Sequence, residues 1–584
     1  MNGSNPTQQL VKGTAILATA AFLSKLLGVV YKIPYQNITG NYGFYVYEQV
    51  YPIYMILLTL STAGVPIAIS KLVAERLAVG DIPGARKVFK VSAITLMLTG
   101  LFSFTLLYTA GAPVLAFLMG DPDLVLPIRS VSFALLVVPV MASIRGYFQG
   151  HQNMMPTAVS QVVEQVVRVT TILVLSSWFI YHHYDEYYAG AGAVFGAFTG
   201  ALAALIVMLL YWRSNTLAQR RHEQTARGEG GDKNVQAAPL TTSKGHGSGW
   251  AHQAETSYVN LSFRQILRRV AAYALPISLG ALVLPLFQLV DNFTIPNLLS
   301  WTGWASKEAF NLRGVYARGW PLVQFAAFFA TALALALVPS ISEAKAKRQH
   351  QQISKRTEFA LKLTFIIGLA SAIGLAILAK PINIMFYVTP EGTVTMAILA
   401  FVVIFSTLGI TSGAILQGMG YVTLPARHLL IGVGVKFIFN LILLPFLDIK
   451  GAALASVVGY MVAALLNLWA IYHIIPVRLF KKHILLPPVY AVCVMGICVS
   501  LTMVGLEYGL DSVKLHERLL YALVTLSAVL VGVVVYGLSL LRFEAISRTE
   551  LSLIPKVNRL IPVLETLKIL KKEDPEQTEK GASS

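Results

Sequence analysis

Ten side chains, with Gln161, Gln165 and Gln288 beside them, have the type and spacing needed to handle a charged molecule inside a membrane. Lys25 lies about midway along an apolar run, in Ser24-Lys25-Leu26-Leu27-Gly28. A lysine at the centre of a spanning helix costs roughly 2.5–3.5 kcal/mol on insertion scales. It is either held by an internal partner or stands in a cavity as a binding group for an anion. Lys32 follows seven residues later, about two helical turns on and on nearly the same face. It is nearer the outer surface, where snorkelling accounts for it almost as well.

Gln161, Glu164, Gln165 and Arg168 form one polar stripe at helical spacing. Glu164 and Arg168 are four apart and can pair. Such a stripe faces protein or water, so it is either a structural salt bridge or a cavity wall. Lys436 and Asn440 repeat the four-residue spacing in the second half. Asp291, with Gln288 one turn earlier, is a candidate ion site or an ordinary helix-end acid. Arg318, just before Trp320-Pro321, is a cavity cation or an interfacial anchor. Arg145 and His151 flank a turn, as phosphate contacts at a cytoplasmic gate or as plain loop cations. The set is mostly cationic, which points to an anionic cargo bound at Lys25, Lys32, Glu164, Arg168, Arg318, Lys436 and Asn440.

The elements that carry these residues are membrane helices. Of 584 residues, 55% are hydrophobic and 13% charged, against about 25% charged in soluble proteins. The chain reads as an all-α integral membrane protein with about fourteen transmembrane helices. They fall near 10–33, 44–71, 88–118, 125–148, 157–183, 188–213, 266–295, 316–341, 357–380, 393–419, 424–447, 451–475, 484–508 and 518–542. The first run resembles a signal peptide, but Lys25 interrupts it and many similar runs follow, so it reads as a spanning helix. The net charge of +18 comes from Lys and Arg gathered in loops on one side, as the positive-inside rule requires. No nucleic-acid partner is expected. Both termini are expected in the cytoplasm, with an even number of crossings.

Five segments follow: a six-helix lobe at 1–213, a flexible linker at 214–262, a second six-helix lobe at 263–475, two further helices at 476–542 and a basic tail at 543–584. The linker carries His246 and His252, read as solvated rather than metal-binding. The stretch 551–570 suits a helix lying on the anionic inner leaflet. Cys493 and Cys498 share one apolar segment, so neither a structural disulfide nor a metal site is expected.

The two lobes look like copies. Gly192-Ala193 with Gly200 matches Gly451-Ala452 with Gly459. Gln149-Gly150 before Pro156 matches Gln417-Gly418 before Pro425. Superposing these pairs sets Arg168 opposite Lys436. Six helices per copy with one orientation make a parallel repeat, expected to work by alternating access. There is no P-loop, nucleophile elbow, His-Glu-x-x-His or zinc-spaced cysteine pair, so no enzyme, cofactor or metal is expected. Drive would come from the membrane potential, H+ or Na+.

The stretch 145–168, opening Arg-Gly-Tyr-Phe-Gln-Gly-His-Gln-Asn-Met-Met-Pro, resembles bacterial polysaccharide-biosynthesis exporters related to stage V sporulation protein B. Tyr51-Pro52-Ile53-Tyr54, Leu60 to Pro66 and Ala68 to Lys71 resemble the same group. The likeness runs from about Leu10 to Arg542. It places the chain in the multidrug/oligosaccharidyl-lipid/polysaccharide superfamily, with MurJ-type lipid II flippases. The resemblance implies a two-lobed transporter that flips a polyprenyl-diphosphate-linked sugar to the outer leaflet. It also implies that Ser24 to Gly28 is a functional basic motif, with Lys for Arg. It departs at helix two, where Leu57 and Leu58 stand near basic positions of the family. The two last helices would hold the lipid tail. Partners would be the lipid-linked oligosaccharide, membrane lipids and cell-wall synthesis enzymes, with the protein a monomer. Three other readings are a cation-coupled drug exporter, a non-transporting scaffold and a glycosyl polymerase; the first wants carboxylates in the cavity and the last an outer catalytic carboxylate.

Overall fold

The computed structural model describes residues 6–62, 64–228, 262–477, 482–511 and 515–545. They are helical throughout, with no strand among the described residues. Two compact units divide at Leu286/Phe287. The first contains α1 (Pro6–Val30), α2 (Lys32–Thr62), α3 (Val65–Ala78), α4 (Ile82–Leu106), α5 (Ala112–Leu118), α6 (Val125–Ser132), α7 (Ala134–Gly150), α8 (Met155–Tyr181), α9 (Glu186–Gly228) and α10 (Phe263–Ala281). The helix α11 (Val283–Trp301) opens at the boundary. The second unit continues with α12 (Ser306–Ala317), α13 (Trp320–Ala346), α14 (His350–Ile377), α15 (Ala379–Tyr387), α16 (Thr393–Ala400), α17 (Val402–Gly418), α18 (Thr423–Ile474), α19 (Lys482–Asp511) and α20 (Glu517–Arg542).

Among the described residues, ten helical stretches are long and apolar enough to cross a membrane. They account for eleven of the fourteen expected spans, because α18 holds two of them, joined at Asp448. The other three expected spans, 10–33, 44–71 and 266–295, are helical but interrupted. The first ends at Val30, and Lys32 starts the next helix. That helix kinks at Gly40, whose φ of 68° is a conformation glycine adopts without steric cost. The expected second span divides again before Gly64, and Pro66 opens α3 from a position where its missing N–H is harmless. The expected seventh span breaks at Leu282.

The helix α9 runs on past residue 213 to Gly228. The linker histidines and the stretch 551–570 lie outside the described residues. At the far end of the linker, Ser262 and Gln265 form a reciprocal cap that starts α10. This helix packs within the first unit. Ser278 Oγ accepts from the Gly64 backbone N–H at 3.2 Å, and the Lys71 ammonium sits 3.9 Å over the Tyr273 ring.

Small residues bring the key helices together. A Cβ on Gly200 would lie 2.6 Å from the Glu164 carbonyl and 3.0 Å from Arg168 Cβ. A Cβ on Gly459 would lie 2.9 Å from both the Gly432 carbonyl and Lys436 Cβ. The same contact therefore forms in each unit, between matched glycines and the helix carrying a matched cation. In the second unit both helices belong to α18, which reverses at Asp448 so that its arms lie against each other.

These contacts leave no room for a side chain. Gly459→Leu should cost about 1–3 kcal/mol or more through overpacking. Gly374→Ala, where the added Cβ meets nothing within 4 Å, should be neutral or slightly stabilising. Melting temperatures of the purified variants check both outcomes.

Candidate functional site

In the first unit α1 lies along α8. Ser24 Oγ donates to the Gln161 carbonyl at 3.3 Å, and a Cβ on Gly28 would lie 3.3 Å from Gln165 Nε2. The small residues flanking Lys25 thus form the packing face. Lys25 itself stands at its margin, exposed, with no hydrogen bond or ion pair to any described residue.

Lys32 is placed differently. Where Lys25 is exposed, Lys32 is buried, and it pairs with Glu48 at 2.7 Å. Its ammonium also lies 5.7 Å from the Tyr51 ring centre. An acid on the neighbouring helical segment, and not snorkelling, accommodates this lysine.

Glu164 is the centre of a three-residue network. Its Oε1 accepts from Arg168 Nη2 at 2.8 Å and its Oε2 from Arg145 Nη2 at 2.9 Å. Arg168 also donates to the Tyr54 hydroxyl at 3.2 Å, and Arg145 Nε to Ser160 Oγ at 3.0 Å. One carboxylate holds two guanidinium groups on α7 and α8, so the network carries one net positive charge. Arg145 and His151 do not converge. The His151 ring packs on Tyr147, with centres 4.3 Å apart, and its Nδ1 is 2.9 Å from the Tyr147 carbonyl, closing the end of α7.

In the second unit Asp291 and Lys436 pair at 2.7 Å, both essentially inaccessible. The same carboxylate accepts from the Tyr316 hydroxyl at 2.8 Å and from Asn440 Nδ2 at 3.2 Å. Lys436 also donates to the Phe287 carbonyl at 2.8 Å, and Asn440 to Thr294 Oγ1 at 2.7 Å. Asp291 is thus a deeply buried acid and not one at a helix end. Arg318 lies at the junction of α12 and α13. It donates to Thr389 Oγ1 at 2.9 Å and reaches Glu391 at 3.6 Å, which ties that junction to the turn after α15.

The matched cations are neutralised in different ways. Arg168 has its acid one turn back on its own helix, whereas the position matching Glu164 is Gly432, and Lys436 takes its acid from α11. Sequence reading missed Glu48, Tyr54, Tyr316 and Arg313. Glu48 and Arg313 were findable as lone charges beside apolar runs. The tyrosines carry no signal until the fold sets their hydroxyls against the charges.

Glu164→Gln should leave two guanidinium groups with no carboxylate. Removing one partner of a buried pair typically costs about 3–5 kcal/mol. Because the network is about one-tenth exposed, the lower end applies, read as a fall in melting temperature. Adding Arg168→Gln should recover part of that loss. Full additivity in this cycle would show that the pair does not interact.

Comparison with known proteins agrees with this architecture. Residues 10–230 match a family model described as a polysaccharide biosynthesis protein, and residues 315–517 match one described as lipid II flippase MurJ. An uncharacterized membrane protein of Bacillus subtilis, YabM, is 35% identical over 458 residues, covering 78% of this chain and 79% of the relative. Stage V sporulation protein B of the same organism is 28% identical and covers 95% and 99%. A solved structure of lipid II flippase MurJ in an inward closed conformation covers 90% of this chain and 98% of its own. Its TM-score is 0.59 at 12% identity, which shows a shared fold. With 35% identity to YabM over about four-fifths of both lengths, the chain belongs to the polysaccharide-biosynthesis and stage V sporulation protein B family of membrane proteins.

Proposed function

We propose that this protein flips a polyprenyl-diphosphate-linked oligosaccharide, a lipid II-type peptidoglycan precursor, from the inner to the outer leaflet of the cytoplasmic membrane. The observation that carries the reading is Lys25. It is a cation within a membrane helix, exposed and unpaired among the described residues, while Lys32, Arg168 and Lys436 are each paired with a carboxylate. A diphosphate cannot cross hydrocarbon without compensation of its charge. Lys25 supplies that compensation, and the net positive Arg145–Glu164–Arg168 network on α7 and α8 adds to the field. The match of residues 315–517 to the lipid II flippase model supports the same substrate class. A drug cation would want a carboxylate without a partner, and Glu164 and Asp291 are each held by cations.

With both termini cytoplasmic, the cargo moves outward. A cell interior at negative potential favours that direction for an anion, by about 2.3 kcal/mol per charge per 100 mV. The membrane potential can therefore drive the step without a nucleotide.

Vesicles containing the purified protein and labelled lipid II test the proposal. Wild-type protein should move the lipid between leaflets. Lys25→Ala should lose at least tenfold of the rate at unchanged melting temperature, and Lys25→Arg should keep much of it. Full activity in Lys25→Ala removes the assigned role, and no movement by the wild-type protein rejects this substrate. In a second measurement, flipping out of vesicles held negative inside by a potassium gradient should exceed the rate at zero potential. Equal rates would show that the potential is not the drive.

A further inference from the structure

The buried charges of the second unit do not balance. Asp291 neutralises Lys436. Arg313 lies close enough for its charge to act on Lys436, and is itself only 3% exposed. It has one neutral hydrogen bond, from Nη2 to Asn292 Oδ1 at 2.9 Å, and its guanidinium lies 5.3 Å from the Tyr316 ring centre. Its Nε and Nη1 are buried without a hydrogen-bond partner, and no carboxylate among the described residues is within ion-pairing distance. Two buried cations therefore share one buried carboxylate.

That arrangement is costly as it stands. Arginine cannot escape by losing its proton. An unpaired ion in a low-dielectric interior carries a penalty of several kcal/mol. Asn292 and Tyr316 offset part of it with a dipole and a ring face, but leave the formal charge and the unpaired N–H groups. One monovalent anion satisfies both deficits. It restores neutrality to the Asp291, Lys436 and Arg313 cluster and accepts the free N–H groups as charge-assisted hydrogen bonds. The burial of Arg313 excludes a bulky organic ester and selects a small ion.

We propose that Arg313, with Asn292 and Tyr316 beside it, binds a small inorganic anion, chloride under cellular conditions. The site lies wholly within the second unit and is separate from Lys25. It does not depend on which lipid the transporter carries.

The test uses the intact purified protein. Labelled chloride should bind saturably at about one ion per chain, and replacing chloride by gluconate at equal ionic strength should lower the melting temperature by roughly 2 °C or more. Arg313→Gln should lose at least tenfold in chloride affinity and lose the salt-specific shift, while Arg313→Lys should recover part of the binding. Because Arg313→Gln can fail to fold, wild-type crystals grown in bromide give an independent answer, with anomalous density beside Arg313 expected. No saturable chloride binding, binding unchanged in Arg313→Gln, or bromide found only elsewhere would each overturn the proposal.

Discussion

Asp291 accepts hydrogen bonds from Lys436, Asn440 and Tyr316, and in doing so fastens three helices around one carboxylate. None of these groups could stay in a hydrocarbon environment alone. A carboxylate or ammonium taken out of water carries a penalty that only close, well-hydrogen-bonded partners return. The cost of leaving charge unsatisfied therefore fixes which helices meet and in what register. Tyr316 reaches on to Ser456 at 2.9 Å, so the same carboxylate organises both arms of α18. In the first unit Glu164 has the parallel role between α7 and α8.

This constraint separates residues that hold the protein together from those available for work. Lys32, Arg168 and Lys436 all looked like cargo ligands by residue type and depth. Each spends its charge on a neighbouring acid, and each is buried. Lys25 differs because its helix turns Ser24 and Gly28 toward α8 and leaves the ammonium at the edge. In the function proposed above, the paired charges make a rigid unit at membrane depth and the unpaired Lys25 meets the anion.

The helical membrane fold was legible because apolar length is a direct physical requirement of the bilayer. The repeat was legible through small residues, since Gly200 and Gly459 must recur wherever the same close approach recurs. The i,i+4 pairing of Glu164 with Arg168 was legible because helical geometry alone sets that distance. What stayed hidden depended on distant segments. Nothing near Lys436 in the chain announces Asp291, which is 145 residues away. Arg145 looked like a loop cation because its acid lies across a turn on the next helix. The breaks at Tyr31, Gly40 and Leu282 were invisible to a criterion that counts apolar residues, because the broken segments remain apolar.

The reversal at Asp448 has a mechanical consequence. Its φ of 50° and ψ of −141° turn the chain between two spans with no intervening loop, and Trp304 Nε1 donates to its carboxylate at 3.1 Å. A joint of this kind has no slack. The arm before it and the arm after it cannot slide apart without breaking helical turns on both sides, and the Gly432 to Gly459 contact leaves no gap for a lipid chain to wedge them open. The two arms behave as one stiff lever. Through Lys436 bound to Asp291, and through Phe287 stacked on Tyr460 with ring centres 4.2 Å apart, a pull on α11 reaches both arms of that lever at once.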